Sequence, residues 1–191
     1  MQPTIGVLGG TGSEGKGLAM RWAYAGYPVI IGSRDAERAR AAATEIAARL
    51  PKVSIAGMDN RAAAERADIA VLTVPYAAHQ ATLTSVKEAL RGKILVDVTV
   101  PLVPPRVTRV QLPPEDSAAV AAQALLGQAV RVVSAFQNVS AHLLEALDGS
   151  VDCDVLICGD DKEARDKVVA LAEAAGMRGI HGGGLANSVA A

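Results

Sequence analysis

Aromatic residues are nearly missing from this chain: one tryptophan, one phenylalanine and three tyrosines make up 3% of 191 residues. An all-β sandwich draws heavily on aromatic and β-branched strands. A chain half hydrophobic and rich in alanine suits closely packed α/β layers instead. Excess charge is missing too. Nineteen Lys and Arg face twenty Asp and Glu, a net charge of −1, without a basic run or aromatic-basic interleaving, which argues against nucleic acid as a partner. No apolar stretch approaches the ~20 residues that a bilayer span requires. The first strand begins by Thr4, which leaves no room for a signal peptide and gives a cytoplasmic reading. Cysteine is limited to Cys153 and Cys158, in or beside an apolar strand. Reduced, buried thiols are the default for such a pair, ahead of a disulfide or metal site. Residues 1–191 are read as a single domain, with no internal repeat, linker or low-complexity tract.

What is present is glycine at one place above all. Ile5–Leu8 reads as a buried strand, followed directly by Gly10-Thr11-Gly12-Ser13-Glu14-Gly15 and a helix from Lys16 to Ala25. This is a G-x-G-x-x-G pattern between strand and helix. Gly10 is assigned to the tight turn, Gly12 to close approach by a pyrophosphate, and Gly15 to close packing of helix on sheet. Free N–H groups and the positive end of the helix dipole then face the phosphates. A second strand, Pro28–Gly32, completes the βαβ context that separates this match from a plain glycine turn.

The remaining elements alternate. Helices are predicted at Ala36–Leu50, near Asn60–Arg66, and at Ala77–Leu90, Ser117–Leu126, Ser140–Leu147 and Asp161–Ala175. Strands are predicted at Val53–Ala56, Ile69–Val74, Ile94–Val98, Arg131–Ser134, Val155–Cys158 and Met177–Ile180. The five prolines of Pro101–Pro114 mark a loop. The fold class is therefore a Rossmann-type, doubly wound α/β sheet, mainly parallel, with helices on both faces. Right-handed crossovers put every strand's carboxyl end on one edge, where a ligand would lie at the topological switch point.

The end of the second strand selects the dinucleotide. NAD-specific forms place an acid there for the ribose hydroxyls. Here the strand ends Gly32-Ser33-Arg34, and Arg38 follows one helical turn later. A guanidinium fork at Arg34, with Arg38 and the Ser33 hydroxyl, suits a 2′-phosphate, so NADP(H) is favoured. Asp35 stands where a helix N-cap belongs. The alternative for Arg34 and Arg38 is a solvated surface group paired with Asp35 and Glu37.

Several segments together resemble the NADP-dependent oxidoreductases of coenzyme F-420: Gly9–Gly17, Gly32–Arg34, Asp68–Pro75, Val132–Ala135, Cys158–Asp161 and Gly184–Ser188. Ser134–Ala141 is also similar to the NADPH-binding domain of the STEAP metalloreductases. The resemblance implies that Thr11, Gly12, Ser13 and Glu14 line the pyrophosphate, and that Thr11, Ser33, Arg34 and Arg38 surround the 2′-phosphate. It implies that Val74, Pro75, Val100 and Ala141 border the nicotinamide ribose and ring. The deazaflavin F-420, as co-substrate, would stack over that ring beside Gln137, Asn138 and Gly182-Gly183-Gly184. The plain reading of that glycine run is a mobile turn before a helix. Some family members carry histidine and threonine where Gln137 and Asn138 stand here. The family also continues into C-terminal helices that support a homodimer, whereas this sequence ends at Asn187–Ala191.

Hydride transfer between two coenzymes asks the protein for positioning, with reacting carbons about 3–3.5 Å apart. That fits a sequence without a Ser/His/Asp set, a metal-spaced His/Cys cluster or a lysine–asparagine pair. No catalytic residue is assigned. His79 reads as a helix-surface residue, and His142 and His181 as structural or exposed, with His181 the better functional candidate. Tyr76 either stacks near the ligand or packs on the sheet edge. Two other functions fit the same fold: an NADPH-dependent flavin reductase, and a non-catalytic NADP(H)-binding regulatory module.

Overall fold

The computed structural model describes residues 2–105, 110–147 and 149–190. Part of the Pro101–Pro114 loop and the last residue of the Asn187–Ala191 segment lie outside them. Eight strands form one sheet in the order β3-β2-β1-β4-β5-β6-β7-β8. They are β1 Ile5–Leu8, β2 Val29–Ser33, β3 Ile55–Asp59, β4 Ile69–Leu72, β5 Ile94–Asp97, β6 Arg131–Ser134, β7 Asp154–Gly159 and β8 Arg178–Gly183. Six helices connect them: α1 Ser13–Tyr24, α2 Ala36–Arg49, α3 Asn60–Arg66, α4 Tyr76–Val86, α5 Ala118–Leu126 and α6 Lys162–Ala174.

The apolar runs sort themselves by the two-residue period of a strand. Ile5, Val7, Val29, Ile31, Ile69, Val71, Ile94 and Val96 join one core, with α1, α2 and α6. Leu8, Ile30, Ala70, Leu72 and Leu95 join the other, with α3, α4 and α5. Trp22 and Phe136, two of the few aromatics, are fully buried and meet edge to face at 5.8 Å.

Strands β1 to β6 are parallel, as expected. The sheet departs from expectation at its far end, where β7 runs antiparallel to β6 and β8 runs parallel to β7. Not every carboxyl end therefore shares one edge. The cause lies in the β6–β7 connection, whose described residues hold only a 3-10 turn, Ala141–Leu144, where a helix over Ser140–Leu147 was predicted. A parallel crossover needs a longer helical return. The buried Arg21 of α1 instead holds this segment in place, donating to the carbonyls of Leu143, Leu144, Ala146, Gly149 and Ala175.

Other boundaries shift by a few residues. Strand β3 begins at Ile55, α1 begins at Ser13, and the helix after β4 ends at Val86 with a separate 3-10 turn, Glu88–Leu90. Strand β8 continues through Gly182 and Gly183, so the predicted turn there is strand. The Gly182 backbone lies so close to β7 that a Cβ would come within 2.5 Å of Cys158 Sγ. A 3-10 helix, Leu185–Ala190, follows.

Candidate active site

The switch point falls between β1 and β4, where the strand order reverses. The chain turns out of β1 at Gly9, whose φ of 79° is left-handed. The turn-forming glycine is thus Gly9 and not Gly10. Gly10 is required for a different reason, since a Cβ there would sit 2.8 Å from the Val7 carbonyl oxygen. Asn60 of α3 accepts from the Gly9 amide at 3.1 Å and fixes the turn from behind. A Cβ on Gly15 would lie 2.5 Å from Thr73 Oγ1, which confirms its place as the close contact between α1 and the loop after β4.

Gly12 is the N-cap of α1 and supplies no side-chain cap. The first-turn amides of the helix therefore remain available to an anion. A Cβ at Gly12 would meet nothing nearer than the Gly9 oxygen at 4.0 Å, so the backbone faces open space of the kind a pyrophosphate needs. Thr11, Ser13 and Glu14 flank this cradle. Glu14 is largely enclosed by the cleft wall, and burial pushes its pKa up to about 7.

At the end of β2, Asp35 accepts from the amides of Glu37 and Arg38 at 3.0 and 3.3 Å, the N-cap role predicted for it. Glu37 pairs with Arg40. The acids that would have neutralised Arg34 and Arg38 are thus engaged elsewhere. Both arginines are exposed, with no ion pair among the described residues. Ser33 is buried, and its hydroxyl accepts from the Asp35 amide at 3.2 Å.

A cleft of about 470 Å³ runs along the carboxyl edge between Gly12–Gly15, Thr73–Tyr76, Val98–Val100, Leu102 and Gln137. It brings together Gly12, Ser13, Glu14, Val74, Pro75, Val100 and Gln137 of the residues predicted from sequence. A smaller chamber of about 70 Å³ adjoins it, sharing Thr99, Val100 and Gln137, and is closed by Val110, Leu112, Ser117, Ser188 and Val189. Four residues predicted beside the two rings lie elsewhere. Ala141 opens the 3-10 turn beside α1 and does not line the cleft. Asn138 turns the other way, donating to the Asp154 carbonyl at 2.9 Å and facing a separate groove with Ser150–Asp154. Gly183 and Gly184 line neither cavity, but they launch the 3-10 helix that brings Ser188 and Val189 to the smaller chamber.

One histidine also differs from expectation. His79 is not on a helix surface; it is buried, with Nε2 2.7 Å from Asp97 Oδ2. Tyr76 packs beside it, ring centroids 6.0 Å apart, while lining the cleft. His142 is exposed, and His181 is half exposed 3.5 Å from Asp166. Asp97, Asn60 and Thr73 escaped the sequence reading. The only signal for Asp97 was a carboxylate at the end of a central apolar strand, a position facing the ligand edge. Cys153 and Cys158 are free thiols, and burial pushes both upward in pKa. Among the described residues, no helix is long and apolar enough to cross a membrane.

With this geometry in hand, three comparisons with known proteins converge. The family described as NADP oxidoreductase, coenzyme F-420-dependent, matches residues 4–101. An F-420-dependent NADP reductase of Methanothermobacter marburgensis is 48% identical over 96% of this chain and 85% of its own. The metalloreductase STEAP3 of Rattus norvegicus is 32% identical over 97% of this chain but only 35% of its own. Among solved structures, one described as an F-420-dependent NADP reductase of Arthrobacter superposes with a TM-score of 0.81 at 27% identity, covering 100% of this chain and 88% of that one.

Proposed function

Because the chain belongs to the coenzyme F-420-dependent NADP oxidoreductases, we propose that it moves a hydride between NADP(H) and the deazaflavin F-420 along the carboxyl edge of its sheet. The coenzymes supply the reacting carbons: NADPH gives up a hydride with its electron pair, and the deazaflavin gains that hydride and one proton from solvent. The chain's own residues bind, orient and exclude water. Gly10, Thr11, Gly12, Ser13 and Glu14 surround the pyrophosphate at the uncapped start of α1. Ser33, Arg34 and Arg38, with Thr11, hold the 2′-phosphate. Val74, Pro75 and Val100 form the apolar wall against the nicotinamide. Gln137 stands at the junction of cleft and chamber, where the second ring enters.

The observation that carries this reading is the lining of the cleft. Its wall at Val74, Pro75, Val98 and Val100 is apolar, and the backbone opens at Gly12 and Gly15, which suits the positioning of two flat rings for hydride transfer. The test mixes protein, NADPH and either F-420 or a flavin, and follows the acceptor's absorbance. Loss with F-420 supports the proposal. Loss with flavin alone supports a flavin reductase, and NADPH binding without turnover supports a regulatory module. Arg34→Glu should weaken NADPH by about 10- to 100-fold while leaving NADH within about threefold, the size of lost charge-assisted bonds. Equal losses for both would remove the 2′-phosphate assignment.

We further infer a cytoplasmic homodimer in which residues 1–191 act as one nucleotide-binding domain. Free Cys153 and Cys158 suit a reducing compartment. A patch of exposed apolar side chains around the smaller chamber supports self-association.

A further inference from the structure

Asp97, buried at the end of β5, bonds to three segments that line the cleft, two through its carboxylate and one through its backbone carbonyl. Asp97 is fully buried. Its Oδ2 meets His79 Nε2 at 2.7 Å, and its Oδ1 accepts from the Thr99 amide at 3.0 Å. Its backbone carbonyl accepts from Gln137 Nε2 at 2.8 Å, and the same nitrogen donates to Ser134 Oγ at 2.8 Å. A carbonyl only accepts, so these bonds fix the orientation of the Gln137 amide. Both amide hydrogens are then used, and Oε1 remains as an acceptor.

Each partner belongs to a different wall. His79 lies one turn into α4, whose first residue, Tyr76, lines the cleft with Pro75. Thr99 sits between Val98 and Val100, which line it from the loop after β5. Gln137 lines it from the loop after β6 and follows Phe136, held at φ 72°. That left-handed conformation is costly for a bulky side chain and persists only where the surroundings enforce it. Here Trp22 packs against the ring. Burying a His–Asp pair contributes little net stability compared with an apolar pair of similar volume. Stability does not account for it, whereas its geometry does something specific.

We infer that Asp97 and His79 are positioning residues for hydride transfer. Through the Asp97 carboxylate they tie the Pro75–Tyr76 wall to the Val98–Val100 wall, which the Asp97 backbone carbonyl joins to Gln137, and so set the separation of the two rings. The inference rests on the hydride transfer proposed above. It concerns approach distance and not affinity, because the phosphate contacts at Gly12–Glu14 and Arg34 lie on other elements.

The test uses the full chain and four variants. His79→Leu and Asp97→Ala remove the side-chain tie between α4 and the Val98–Val100 segment and leave the Asp97 backbone carbonyl bonded to Gln137, while Asp97→Asn and His79→Gln keep a hydrogen bond. NADPH dissociation constants, kcat with F-420, and the temperature dependence of the deuterium isotope effect on the transferred hydride are measured for each. For His79→Leu and Asp97→Ala, kcat should fall about 30- to 100-fold while the NADPH dissociation constant stays within about threefold, since small misplacements cost that much in positioned reactions. The isotope effect should become steeply temperature dependent, and Asp97→Asn should recover kcat to within about fivefold of wild type. Where Asp97→Ala does not fold, Gln137→Leu removes the two bonds of Gln137 Nε2 at a half-buried position and should lower kcat by about tenfold with unchanged NADPH binding. A folded His79→Leu with wild-type kcat overturns the inference. So does a loss of kcat that only tracks NADPH affinity, with the isotope effect unaltered. A wild-type protein that binds NADPH without reducing F-420 overturns the functional reading instead, and the wild-type control separates the two failures.

Discussion

Glu14 places a carboxyl group where phosphates are proposed to bind, and its environment decides whether that is tolerable. Burial raises its pKa from the ordinary 4.5 to about 7, without a compensating positive partner. Between those values the folded protein keeps a proton that the unfolded chain has released. Folding stability therefore declines as pH rises from about 4.5 to about 7, and the full penalty, on the order of 2–3 kcal/mol, persists above that window. Glu14→Gln should raise Tm at pH 8 and leave it unchanged at pH 4.5, in thermal unfolding scans across that range. Nearby phosphate charge favours the neutral form further, so NADPH binding at pH 8 should take up a proton. Glu14→Gln should accordingly tighten NADPH at pH 8 by about tenfold, the value of one pKa unit. Identical pH profiles for the two proteins would show that Glu14 is solvated and ionised in the fold.

At the scale of elements, α1 does two jobs. Its start faces the cleft, and its middle carries Arg21 into the β6–β7 connection. All five guanidinium N–H groups are directed at carbonyl oxygens, with no carboxylate among those acceptors. Lysine offers three donors from one point and cannot reproduce that fork. Arg21→Lys and Arg21→Met should both cost about 3–5 kcal/mol in denaturant unfolding, because several buried carbonyls lose their partners. A Lys variant within about 1 kcal/mol of wild type would mean that the carbonyls find other donors. This element also shows where sequence reasoning stops. Strands β1, β4 and β5 and the cap Asp35 were legible because their signals are local. The reversal of β7 was not, since it depends on Arg21 bonds to residues 122 to 154 positions away. Gln137 and Asn138 are neighbours in sequence, yet one faces the cleft and the other a different groove. The left-handed Phe136 just before them is a conformation that no side-chain pattern announces.

For the whole molecule, the distribution of apolar surface bears on assembly. Leu102, Val103, Val110, Leu112 and Val189 are exposed, Leu112 by 56% and Val110 by 50%. Val110, Leu112 and Val189 also line the smaller chamber, and Leu102 bridges to Val110 beside it. Scattered apolar residues on a surface need no explanation, whereas a contiguous group beside a ligand cleft marks a place where something docks. A second copy of this chain would cover the patch and close the chamber where the acceptor ring is proposed to lie, linking assembly to catalysis. Sedimentation equilibrium at tens of micromolar should then return twice the chain mass, and Leu112→Asp should return a monomer. That monomer should still bind NADPH within about threefold of wild type, because the glycine cradle and Arg34 lie elsewhere, while its kcat with F-420 falls by about tenfold as the second ring loses its enclosure. A wild-type monomer with full turnover would leave the patch to some other partner and detach the chamber from any subunit contact.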